Sequence, residues 1–200
     1  MADTGAPHFI PFADPTDLVR DWPALSEDVA DAVAAGLDAA GGLVAVKHAI
    51  FTGTQTASVG GGASLSVTDL SITHALADAS NRLIISAFLG AAANSVGSGR
   101  VGMAVHDGTG LIAIGNADGS RTRVTAGGRP SATTSTQVST SVSVTFVHAP
   151  GDTTSRVYQL RAINNTGNTE TLFINRNEED FNNQRSPRAV SSLVIQEVKV

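Results

Sequence analysis

The chain has 200 residues and a formal net charge of −5, with charged residues at 16% and aromatics at 4%. That length supports one substantial domain with an appendage rather than two full domains. The acidic balance, with no long basic run, excludes the broad phosphate binding on which nucleic-acid partners depend. With no cysteine present, disulfides and thiolate metal sites are excluded too, so packing and assembly must hold the fold.

So few charged groups leave surface polarity to hydroxyls and amides, which suits a stable shell. No basic segment leads into an apolar h-region, and no run of about 18 apolar residues spans a bilayer. The expectation is a soluble product made in the cytosol, with no membrane insertion.

Residues 1–42 read as an N-terminal extended arm and attachment helix. Pro7, Pro11 and Pro15 remove backbone donors and hold the chain extended, while Phe9, Ile10 and Phe12 offer apolar handles for docking. From Trp22 the spacing changes: Leu25, Val29, Ala32 or Val33, Gly36 or Leu37, and Ala40 form the stripe of a short amphipathic α-helix. Pro23 fits its first turn, Asp21 or Ser26 supplies a cap, Glu27 and Asp28 complement the helix dipole, and Gly41 and Gly42 stop it. Such a helix is marginal alone, so its stripe needs either the β body or copies of itself. The heptad-like spacing of Leu25, Val29, Ala32 and Gly36 points to self-association.

Residues 43–200 read as strands. Alternation predicts them at Leu43–Phe51 and Leu65–His74, with Gly60, Gly61 and Gly62 marking the loop between. Leu83–Leu89 is apolar at every second and most other positions, which predicts a central strand covered on both faces. Val101–His106 and Leu111–Gly115 flank Asp107-Gly-Thr-Gly, a hairpin turn. Thr136–Val147 has one dry and one wet face; Arg156–Ile163, Thr169–Asn175 and Val190–Val200 complete the set. Eight or nine strands in one domain predict a mainly β fold, an antiparallel two-sheet β-sandwich that is jelly-roll-like in size.

Most signals of chemistry dissolve on inspection. Gly97, Gly99 and Gly102 spell a dinucleotide fingerprint, but a strand rather than a helix follows. His8, His48, His74, His106 and His148 are scattered singly, without metal-ligand spacing. His106 and Asp107 lack a nucleophile elbow, and Asp107 reads as turn chemistry. Glu178, Glu179 and Asp180, among Asn175, Asn177, Asn182 and Asn183, are hard oxygen donors suited to calcium, but their spacing matches no EF-hand. The expectation is a protein that is not an enzyme and that carries no cofactor and no resident metal. The Gly-, Ser- and Asn-rich loops supply candidate contact residues: Asn94 and Ser98, Asn116 and Asp118, Asn177 and Glu179.

Pro11-Phe-Ala-Asp-Pro-Thr-Asp-Leu-Val-Arg-Asp-Trp-Pro-Ala-Leu-Ser-Glu-Asp-Val-Ala-Asp-Ala-Val resembles the N-terminal attachment segments of small fibre and spike proteins of tailed bacteriophages and gene transfer agents. Ala189-Val-Ser-Ser-Leu-Val-Ile-Gln-Glu-Val is similar to the final strand of their terminal β-sandwiches, and Ser80–Leu89 and Ser141–His148 are similar in style to their other strands. The resemblance implies a homotrimer in the virion, anchored by its N-terminal segment to capsid or tail proteins, with the β body recognising a host surface glycan or protein. A tail or head fibre is thus the leading expectation for function. The alternatives are a capsid decoration (cement) protein and a soluble carbohydrate-binding module.

Overall fold

Alternating Val, Ile and Leu with Ser and Thr builds strands whose two faces differ in chemistry, and such strands find stability by pairing into sheets and burying the dry face. The computed structural model describes residues 42–95, 100–128, 139–179 and 188–200. The arm and helix expected before Gly42 lie outside the described residues.

Among the described residues eleven strands follow in order: β1 Leu43–Phe51, β2 Gln55–Val59, β3 Ser64–His74, β4 Arg82–Asn94, β5 Val101–His106, β6 Leu111–Ile112, β7 Ala126–Gly128, β8 Thr140–His148, β9 Arg156–Asn164, β10 Glu170–Ile174 and β11 Ser191–Val198. They form two antiparallel sheets. In the larger, β4 has β8 along one edge. Along the other it pairs first with β11 and then with β10, which are paired in turn with β1 and β2. The smaller runs β3-β9-β5-β6, with β7 also on β5. The sheets enclose one core, in which Leu83, Ile85, Leu89, Leu193 and Ile195 of the larger meet Leu70, Ile72, Met103, Tyr158 and Leu160 of the smaller.

The first sheet changes partners at a bulge. Register shifts between Leu89 and Ala92, where Ala91 takes a φ of +30°. A Cβ on Gly90 would fall 2.4 Å from the Val190 carbonyl oxygen, so only glycine lets the two backbones approach there. A second bulge interrupts β3 between Ser66 and Ser71. The Gln55 side chain spans it, donating to Ser66 O at 2.9 Å and accepting from Thr68 N at 2.9 Å.

Three sequence expectations need correction. β4 is central, but over Leu83–Leu89 its two faces are not equally covered: Leu83, Ile85, Ala87 and Leu89 are buried, whereas on the other face Ile84 and Ser86 are half-buried and Phe88 is 39% exposed. Periodicity cannot tell a face covered within the chain from an apolar face left open. The strand expected over Leu111–Gly115 ends at Ile112, because Ala113 has a φ of +51° and turns the chain outward. Finally, the loop expected between Phe51 and Leu65 contains β2, whose small polar residues carry little strand signal.

Candidate functional site

The loop from Ala113 to Thr125, between β6 and β7, folds back over the outer face of the smaller sheet. Thr125 N donates to Met103 O at 2.9 Å and Gly115 N to Val124 O at 3.2 Å. Thr125 Oγ1 adds a bond to Ile112 O at 3.1 Å. Val124 lies over Gly102, where a Cβ would sit 2.5 Å from its Cγ1. The loop thus seals part of the sheet: Ala104 and Ile163 are both buried beneath it or beside it.

Between this loop and Gly62–Ser64 at the start of β3 lies an open groove of about 740 Å³. Leu111, Ile114 and Ile163 supply its apolar lining, and Ser64, Ser120, Arg121, Thr122 and Arg123 its polar one. Arg121 pairs with Asp118 at 2.5 Å on the surface. Arg123 donates Nε to Gly115 O at 2.6 Å, and among the described residues no carboxylate pairs with it. Guanidinium and hydroxyl groups on an apolar floor can hold a hydroxyl-rich or anionic ligand by directed hydrogen bonds. Among the described residues that line it there is no Asp, Glu or His to serve as a general acid or base.

The opposite wall is fixed by Asn164. Fully buried, its Nδ2 donates to Val59 O at 2.8 Å and Asn168 O at 2.8 Å, while Oδ1 accepts from Thr166 Oγ1 at 2.8 Å. This ties the triple-glycine loop to the 165–168 turn.

A second polar cluster lies at one end of the sandwich. Asp107 Oδ1 accepts from Thr109 N, Thr109 Oγ1 and Gly110 N at 2.7–3.0 Å, and Oδ2 accepts from Arg156 at 3.2 Å. Burial opposes its ionisation, but these donors and the Arg156 charge outweigh it and hold the carboxyl down at about 2. Burial lowers the His148 pKa, Asp107 and Arg156 acting in opposite senses on it. Burial likewise pushes the Tyr158 hydroxyl up to about 12; the two rings meet edge to face at 6.0 Å. Arg156 is clamped from its other side by Asp152 at 2.8 Å. His106 Nδ1 accepts from Gly108 N at 3.0 Å, so His106 and Asp107 are both committed to their own turn. Beside this end, Glu197 is buried with bonds from His74 Nε2 at 2.9 Å, Asn81 Nδ2 at 2.6 Å and Ala77 N at 2.8 Å. Among the described residues no group of three or more His, Asp or Glu is placed to hold a metal ion.

Of the candidate contact residues, Asn116 and Asp118 are exposed on the loop that walls the groove. Asn94 and Asn177 are buried and so are not offered at this surface, and Glu179 is half-buried. The Asn-rich composition that suggested them also serves the interior: Asn175, from the same stretch as Asn177, bonds within the fold. Ser98, the arm residues Phe9, Ile10 and Phe12, and the helix residues Trp22, Leu25, Val29, Val33 and Leu37 lie outside the described residues. Arg121 and Arg123 were not singled out from the sequence. Their signal was an Arg-Thr-Arg alternation directly after the Gly119 turn.

Comparison with protein families finds no model that matches the chain, and comparison with curated proteins finds no match either.

Proposed function

We propose that this chain is a virion structural protein, a trimeric tail or head fibre or spike that is anchored by residues 1–42 and projects its β body for host attachment and receptor binding. One observation supports it most. The chain enters the β body at Leu43, which pairs with Val198. His74 bonds to the neighbouring Glu197, so the His74 end of β3 lies at this same end. The groove wall at Ser64 starts the same strand; along the partner β9, whose Ile163 and Arg156 face Ser64 and His74, it lies about 23 Å away at roughly 3.3 Å per residue. Attachment at one end and contact toward the other is the arrangement a projecting knob requires.

The strand order supports the finer, jelly-roll-like reading. Taking β1–β2, β6–β7 and β10–β11 as single interrupted strands gives eight, arranged first-eighth-third-sixth and second-seventh-fourth-fifth.

The experiment is to image labelled chain on phage particles and to measure binding of the full chain to host cells. Particle incorporation that depends on residues 1–42, together with cell binding weakened by Arg123→Ala, is the expected result. A chain that joins no particle would overturn the reading. The groove's hydroxyl and guanidinium lining keeps the carbohydrate-binding module as second reading; it predicts glycan binding that needs no particle.

A further inference from the structure

Among the described residues the outward face of the larger sheet is almost free of charge, and apolar side chains fill half of its positions, including the exposed Val46, Ile50 and Val147. Register across β1, β11, β4 and β8 aligns Val46, Gln196, Ile84 and Val147 in one row. The next rows are His48, Val194, Ser86 and Thr145, then Ile50, Ser192, Phe88 and Ser143. None of these is Lys, Arg, Asp or Glu; Arg82, beside Val198, stands only at the margin. Val147 is 66% exposed, Ile50 53% and Val46 52%, and Leu43 at the start of β1 is 59% exposed. Apolar side chains so aligned on one face mark an interaction surface.

We propose that this face is where copies of the chain meet, an inference that rests on the multimeric reading above and names the surface responsible. Charge argues for a second copy rather than a different partner. When identical chains pack around a symmetry axis, a charge near that axis is set beside its own copies, so a self-associating face is best left neutral there. The opposite sheet carries Arg121, Arg123 and Arg161 on or beside its outer side and is partly roofed by its own loop. The connection to the upstream chain agrees: residues 1–41 join at Gly42, bonded to Lys199 at 3.1 Å, beside Leu43 at the rim of this face. Copies gathered through the heptad-like Leu25–Val29–Ala32–Gly36 spacing would therefore bring their β1 edges together.

The test uses the full chain. Light scattering at micromolar concentration should give a multiple of the chain mass. Val147→Asp and Ile50→Asp should each lower it to one chain with unchanged far-UV circular dichroism, whereas Arg121→Asp should leave it unchanged. Because the chain has no cysteine, Val147→Cys and Ser71→Cys offer single labelling sites on opposite faces. Maleimide should label Cys at 147 several-fold more slowly, and this comparison decides if the Asp variants do not fold. Unchanged mass in both Asp variants, or equal labelling rates, would overturn the proposal. A multimer that survives the face variants but dissociates on deletion of residues 1–41 would overturn this proposal and leave the fibre reading standing. Face variants that dissociate a chain found on no particle would do the reverse.

Discussion

Asn175 holds a φ of +60° with no exposed surface, at the point where two neighbouring strand lines of the larger sheet, β1–β2 and β10–β11, both break. Its Nδ2 donates to Phe51 O at 2.8 Å and Gly53 O at 2.9 Å, across the gap between β1 and β2, while Oδ1 accepts from Ser191 Oγ at 2.6 Å. Asn is among the few side chains that tolerate the left-handed region. Asn175→Ala therefore adds strain and orphans two carbonyls and a hydroxyl; a loss of about 3 kcal/mol is expected in urea unfolding at fixed protein concentration. Asn175→Gly removes the strain and should recover only part of it. Asp107 belongs to the same scale. Its folded pKa of about 2 lies below the ordinary 3.8, so its stabilisation, of the order of 2 kcal/mol, is present above pH 3.8 and is lost as pH falls toward 2. Glu197, also lowered, adds to the loss below about 4.5. His148, lowered from 6.5, is protonated more readily when unfolded, so it disfavours folding once pH drops below that value. Thermal melts between pH 7 and 3 should therefore show falling stability, with a shallower acid limb for Asp107→Asn.

The loop over Gly102 shows how one absent side chain sets the position of an element. A Cβ there would meet Val124 Cγ1 at 2.5 Å, so Gly102→Ala should lift the loop that carries Arg121 and Arg123. Trypsin is the direct probe: faster cleavage at these arginines is expected, with a smaller change in global stability, of about 1–3 kcal/mol. The strands themselves were largely legible. β1, β5 and β9 begin where alternation placed them, because half-buried strands write their period into the residues. The groove was not, because it depends on how a loop of mixed composition returns to a sheet. Asn116 and Asp118, chosen because their loop is rich in Gly, Ser and Asn, are exposed, whereas Asn94 and Asn177, chosen on the same ground, are buried. Composition does not distinguish an amide facing solvent from one bonding the interior.

Across the whole molecule, the first and last described strands are neighbours. β11 lies between β1 and β4 and buries Leu193, Ile195 and Glu197. Removing residues 191–200 would strip β1 of its partner and open the core along a full strand. That truncated chain should lack a cooperative unfolding transition and collect in the insoluble fraction. Retention of both solubility and the transition would show that the sheet closes without it. Closure by the last segment also makes folding non-local, for which refolding on the millisecond-to-second scale is expected.

By itself the sequence determined the strand periods, the turns rich in glycine and asparagine, the absence of thiol chemistry, and the change of pattern at Gly42. Each of these is local: it depends on a residue's own torsions or on neighbours a few positions away. Tertiary structure alone decided which apolar face is buried between sheets and which is left open, that Arg121 and Arg123 wall a groove with Ser64, and that Asn164 and Asn175 are clasps. These depend on contacts between residues far apart in the chain, and one sequence carries no record of which distant partner covers a given face.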